Sequence, residues 1–237
     1  MLKMKSRQEK IRYLDGFRLK NAIIAGGKLV EKMQEGLNKI NVFPVPDGDT
    51  GTNMALTMSQ ISVDLAEATD RSVSAVSLQL AESALMGAQG NSGAILAQFF
   101  HGFAEGVKGK LTISTSSFAV AVQHAKISAR SAMSHPKEGT ILTVIEDFAN
   151  YIELASRKTS DFNDLLKNGL KKARESLAET PKKLEVLRKA NVVDAGAQGF
   201  VHLLGWQKPG TRSHSHQSSR TGFREAYPFW YNLFPKN

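Results

Sequence analysis

Apolar side chains recur at helical spacing along nearly the whole chain, as at Leu14, Phe17, Leu19, Ile23, Leu29 and Leu37, while alternating runs bounded by turns are almost absent. The pattern predicts an all-α fold. Helices are expected over about 15–37, from 52 onward, and over 73–86, 92–106, 114–133, 140–156, 162–177 and 181–189, divided by polar caps or by Gly and Pro breaks. Short connections make successive helices antiparallel neighbours, so the expected architecture is a bundle or closed ring with its glycine-bearing loops gathered at one end. After Leu204 the pattern ends in a polar, unpatterned stretch and then a Pro- and aromatic-containing one. The expected organisation is therefore a basic extension over 1–13, a helical domain over 14–204 and a divergent tail over 205–237 that reads as disordered or frameshifted. His214 and His216 in that tail lack companion ligands, and a solvated linker explains them.

One interruption of the helical pattern carries candidate chemistry: Asn41-Val-Phe-Pro-Val-Pro-Asp-Gly-Asp-Thr-Gly-Thr-Asn-Met54. Pro44 and Pro46 fix their own φ and push the preceding residues toward extended geometry, while Gly48 and Gly51 permit sharp turns, so Asp47 and Asp49 can face one point. Two carboxylates on a stiff loop suit Mg²⁺, which keeps several waters and is completed by substrate phosphates. An EF-hand is excluded, because no Glu follows at the twelfth loop position. Taken alone, the six residues from Pro46 to Gly51 fit an ordinary surface turn with Asp49 or Thr50 as a helix N-cap. The apolar Val42, Phe43 and Val45 suggest instead a loop anchored on the core.

A second interruption, Met86-Gly-Ala-Gln-Gly-Asn-Ser-Gly-Ala-Ile-Leu96, puts three glycines and two short polar side chains before a helical run. Backbone N–H groups at such a helix start can hold phosphate, although a close helix turn capped by Ser92 fits equally well when the segment stands alone. It is not a Walker loop, since no Lys-Ser or Lys-Thr follows the last glycine, and the positive charge is expected to come from metal. Glu138-Gly-Thr-Ile-Leu142 and Val193-Asp-Ala-Gly-Ala-Gln-Gly-Phe200 are two further helix starts with a carboxylate near glycine. Four such junctions exceed what capping requires and together suggest a phosphate-binding rim.

Composition narrows the setting. The 237 residues contain no cysteine, which rules out disulfides and thiolate metal sites and suits a reducing, cytoplasmic interior. A hydrophobic fraction of 41% permits a well-formed core, and neither a signal core nor a membrane-spanning apolar stretch occurs in the sequence. The net charge of +9 lies mostly before Glu35 and after Trp206, without interleaved aromatics, so it reads as solvated basic ends and not as a nucleic-acid surface. His101, His124 and His135 are read as ordinary helix or loop residues.

Taken together, the four motifs resemble the nucleotide-binding L-subunit (DhaL-like) domain of dihydroxyacetone kinases, most closely the branch at the N-terminus of bacterial fatty acid kinase A subunits. The resemblance spans roughly 15–204 with the motifs in order. It implies an antiparallel eight-helix barrel holding ATP and two Mg²⁺ ions at one end, with Asp47 and Asp49 as metal ligands bridging to the β- and γ-phosphates. Dihydroxyacetone kinases use a third aspartate just before this pair, where Asn41 stands here at slightly different spacing. Thr50 and Asn53 would line the nucleotide, and Asn91, Ser92 and Gly93 would hold phosphates. Glu138, Thr140 and Asp194 fall in matching motifs and are expected at the nucleotide.

The resemblance further implies a kinase whose acceptor is presented by a separate fatty-acid-binding or dihydroxyacetone-binding protein, and a homodimer is among the expected assemblies. A carboxylate acceptor is already ionised at pH 7 and needs no general base, which fits the lack of a catalytic histidine in the motifs. Because the helical pattern stops at Leu204, a second reading is a nucleotide-binding remnant or regulatory module that transfers nothing. A third, a basic tail on nucleic acid, requires steeply salt-dependent binding that disappears when residues after Leu204 are removed.

Overall fold

The computed structural model describes residues 10–205, so the expectations for the extreme N-terminus and for the tail after Gly205 fall outside the described residues. Among these, eight helices of nine residues or more dominate: α1 (Gly16–Lys32), α3 (Thr50–Ala66), α4 (Val73–Gly87), α5 (Gly90–Gly106), α6 (Thr115–Ser131), α7 (Ile141–Ser156), α8 (Phe162–Lys183) and α10 (Ala195–Leu203). Two six-residue helices, α2 (Gln34–Lys39) and α9 (Glu185–Ala190), fill connections. In packing order α1, α3, α4, α5, α6, α7 and α8 follow one another around a ring, and α10 closes it between α8 and α1 while also touching α3 and α7. The all-α expectation and the helix number of the closed ring both hold.

The differences from the expected elements have local causes. The apolar stripe runs without a break from Val30 to Leu37, both buried, yet the first helix ends at Lys32. At Met33 the backbone N–H is shared between the Leu29 and Val30 carbonyls at 3.1 Å each, a tightened turn that periodicity does not register. Pro181 does not open a helix as expected but sits in the last turn of α8. The Leu177 carbonyl, which a proline cannot serve, instead accepts from the Thr180 hydroxyl at 2.8 Å, so the helix passes through without leaving a buried acceptor unmet. A two-residue antiparallel ladder, β1 (Leu14–Asp15) with β2 (Thr112–Ile113), is too short to display alternation.

Inside the ring, Phe200 of α10 meets Phe99 and Phe148 edge-to-face at 5.3 and 6.0 Å between centroids, and Phe118 bridges Phe103 and Phe162 at 5.8 and 5.6 Å. These contacts fix the rotation of α10, whose N-terminus lies at the functional end.

Gly51, in the first turn of α3, lets α2 approach so closely that a Cβ would land on the Gln34 carbonyl oxygen, with Leu37 Cβ only 2.8 Å away. Gly51→Ala is therefore expected to lose about 1–3 kcal/mol of stability, because backbone must move to admit the methyl group. Urea denaturation of the two proteins measures it.

Candidate functional site: helix N-termini around an acidic cavity

The N-termini of α3, α5, α7 and α10 converge on one cavity of about 540 Å³. The long helices that start elsewhere are capped conventionally: Asp15, Ser72, Ser114 and Asp161 each accept a backbone N–H from the first turn of α1, α4, α6 and α8. At the cavity the rule breaks. The residues preceding α3, α5 and α7, namely Asp49, Gln89 and Thr140, make no side-chain cap hydrogen bond. Of the four, only α10 is capped by the residue that precedes it, Asp194. Two first-turn N–H groups are met from elsewhere, Thr52 by Asn38 and Ile141 by Asp194, and the positive ends of the four helices face a shared space, which suits an anionic ligand.

The acidic loop enters this space from α2. Thr52 anchors it: its hydroxyl accepts from Gln34 Nε2 at 3.0 Å and Asn38 Nδ2 at 2.9 Å, and its N–H donates to Asn38 Oδ1 at 3.0 Å. Gly48 turns the chain at φ +68°, a left-handed conformation that favours glycine. Asp47 and Asp49 both line the cavity and are solvent-exposed. Buried Asn41 donates from Nδ2 to Asp47 Oδ1 at 2.7 Å, and its Oδ1 accepts from the Thr50 hydroxyl at 2.9 Å, so both ends of the amide are engaged within the loop. No group of three or more His, Cys, Asp or Glu converges among the described residues, and the donor set at this loop is the two carboxylates.

The neighbouring loop is tied to α3 by Thr57, whose hydroxyl donates to the Asn53 carbonyl at 2.8 Å and accepts from Gln89 N–H at 3.3 Å. Gly90 opens α5 at φ +57° with Asn53 pressed against it, a position with no room for a side chain. Ser92, the N-cap in the alternative reading of this segment, is instead inside the first turn of α5.

Across the cavity Asp194 is buried, 5% exposed, and joins two helix starts: its Oδ2 accepts from Ile141 N–H at 3.0 Å and from Ala197 N–H at 2.8 Å. Burial pushes its carboxyl up to about 6, against the two N–H groups that favour the charged form.

Of the residues expected at the site, Asn41, Asp47, Asp49, Thr50, Asn53, Asn91, Ser92, Thr140 and Asp194 line the cavity together. Gly93 and Glu138 are not on its wall. Gly93 is the contact point of α5 with Thr57, where a Cβ would stand 2.6 Å from the hydroxyl. Glu138 turns outward to Arg130 at 3.6 Å and accepts from the Thr143 hydroxyl at 2.8 Å. Sequence reasoning missed the segment from Met133 to Lys137, which forms part of the wall together with Ile95, Ile141 and Leu142. It includes His135, read from sequence as ordinary, and Lys137, a protein cation where positive charge was expected from metal alone. The proximity of His-Pro-Lys to the Glu-Gly-Thr motif was the available signal.

No helix among the described residues is long and apolar enough to cross a membrane. The chain is 39% identical over 191 residues to Protein YloV of Bacillus subtilis, covering 81% of this chain and 34% of that one. It is 36% identical over 188 residues to an uncharacterized Staphylococcus aureus protein, covering 79% and 34%. The chain thus spans about a third of the length of these curated relatives. Its fold is similar to that of the dihydroxyacetone kinase of C. freundii, solved in complex with AMP-PNP and Mg²⁺, with a TM-score of 0.60 at 15% identity over 84% of this chain and 35% of that one. Residues 44–206, from the proline of the acidic loop to the end of α10 and just beyond, match the DAK2 domain, and the chain belongs to that family.

Proposed function

We propose that the chain binds ATP with Mg²⁺ in this cavity and passes the γ-phosphoryl group to an acceptor presented by a separate protein. The observation that carries the reading is the convergence of the α3, α5, α7 and α10 N-termini on one cavity, three of them without a cap from their own preceding side chain, opposite two exposed carboxylates on one anchored loop. Asp47 and Asp49 would hold the metal, Asn91 and Ser92 with the α5 N-terminus would hold phosphates, and Thr50, Asn53, Thr140 and Asp194 shape the pocket around them. Bound Mg²⁺ would supply charge neutralisation on the transferring phosphoryl, with one ion or two satisfying the same loop. Asn41 orients Asp47 from behind and is assigned a positioning role in place of the ligand role expected from sequence.

A fatty acid carboxylate is the favoured acceptor and a dihydroxyacetone-like hydroxyl the alternative; the former needs no base, since it is ionised at neutral pH. In both cases the residues of this chain position the nucleotide and neutralise charge, which is the main demand of phosphoryl transfer.

Calorimetric titration with ATP is expected to show binding in MgCl₂ and none in EDTA; equal binding in both would remove the metal from the reading. Asn41→Ala is expected to weaken Mg-ATP roughly 10–100-fold, the usual effect of losing a group that orients a metal ligand. Transfer is tested with radiolabelled ATP and a fatty-acid-loaded partner: label on the acyl carboxylate supports the kinase, and its absence supports a binding module.

A further inference from the structure

Lys137 and Glu138 are adjacent and opposite in charge, yet the α6–α7 loop sends them to different sides. Glu138 is held outward by Arg130 and by Thr143, whose hydroxyl in turn accepts from Gly139 N–H at 3.0 Å. Gly139 adopts φ +80°, and the Lys137 carbonyl accepts from the Thr140 hydroxyl at 2.7 Å, so the backbone that follows Lys137 is fixed. The Lys137 side chain is left on the cavity wall, exposed, with no ion-pair partner among the described residues. It follows immediately on Pro136, which stiffens the approach, and precedes the start of α7 by only a few residues.

A lysine kept apart from its neighbouring glutamate shares this space with Asp47, Asp49 and Asp194 but forms an ion pair with none of them. We propose that Lys137 is a phosphate-binding residue for the nucleotide, supplying from the protein a positive charge that acts beside the metal held by the carboxylate loop. The proposal rests on the Mg-nucleotide reading of the cavity. An ammonium on a flexible stem suits this role, since it can follow a polyphosphate whose position shifts as charge develops during transfer.

The test is Mg-ATP titration of the wild type, Lys137→Gln and Lys137→Arg at several salt concentrations, with melting temperatures recorded in parallel. Lys137→Gln is expected to melt like the wild type, because the side chain is exposed and makes no ion pair among the described residues, and to bind Mg-ATP roughly tenfold or more weakly, the usual loss of one charge-assisted contact. Its affinity should also fall less steeply with salt than that of the wild type. Lys137→Arg should retain affinity within about threefold, since it keeps the charge. Wild-type affinity in Lys137→Gln, or equal losses in the Gln and Arg variants, would overturn the role of the charge. Failure of the wild type itself to bind Mg-ATP would instead overturn the reading of the cavity on which the proposal stands.

Discussion

Replacing either Asp47 or Asp49 by alanine is expected to weaken Mg-ATP binding by at least about 100-fold without unfolding the protein. Both side chains are exposed, and neither fills core space, so the stability change should stay within about 0.5 kcal/mol. The binding effect is large because Mg²⁺ is held by few protein ligands and keeps its remaining water: removing one of two carboxylates removes half of the protein's anionic charge on the ion. Losing a group that merely orients a metal ligand already costs roughly 10–100-fold, so losing a direct ligand should exceed that. The two positions should differ in their side effects. Asp47→Ala also removes the nearer of the two acceptors of the Asn41 amide, at 2.7 Å, leaving the Val45 carbonyl at 3.4 Å, whereas Asp49 ends the loop as the backbone start of α3 and its side chain caps nothing. Calorimetry with matched thermal melts decides the matter. Binding that survives in both variants would show that the carboxylates are a surface turn and that the anion, if bound, is held by helix ends alone.

The helices and their order were legible in sequence because each buries one stripe against the ring, and the stripe repeats at the helical period. The gathering of the glycine loops at one end was legible for the same reason, since short connections alternate between ends of an antiparallel bundle. What the stripe cannot encode is where a helix is interrupted while its inward face stays in register, as at Met33, or how a proline is tolerated in a last turn, as at Pro181 beside Thr180. The site was legible as four motifs, but not the division of labour among them. Asp194 caps α10 and also holds the first N–H of α7, a bond spanning 53 residues that no local pattern announces. Lys137 was hidden for the opposite reason: next to Glu138 it looks like half of a solvated pair, and only the partners of Glu138, Arg130 and Thr143, show that it is not.

Asp194 is also where stability and pH meet. Asp194→Ala is expected to cost roughly 2–5 kcal/mol, because two buried N–H groups, of Ile141 and Ala197, lose their common acceptor. Asp194→Asn should cost far less, since its amide oxygen can take both bonds from the place of Oδ2. The carboxyl and the amide nevertheless differ in their response to pH, since only the carboxyl titrates. Asp194 has its folded-state pKa raised to about 6 by burial, so the stability it contributes is present at low pH and is lost as pH rises from near 4 through 6. His202 of α10 behaves in the reverse sense: burial and then the Arg174 cation lower it to about 4, so its contribution is present above the ordinary histidine range and is lost as pH falls toward 4. Each shift of about two units corresponds to on the order of 3 kcal/mol, and between pH 4 and 6 the two slopes have opposite signs and similar size. In the wild type they offset one another. In Asp194→Asn only the histidine slope remains, and the variant should gain on the order of 3 kcal/mol relative to the wild type as pH rises from 4 to 6. Urea denaturation of both proteins without nucleotide, at half-unit steps of pH, measures the difference directly, and parallel profiles would mean that Asp194 titrates in the folded protein as it does in the unfolded chain.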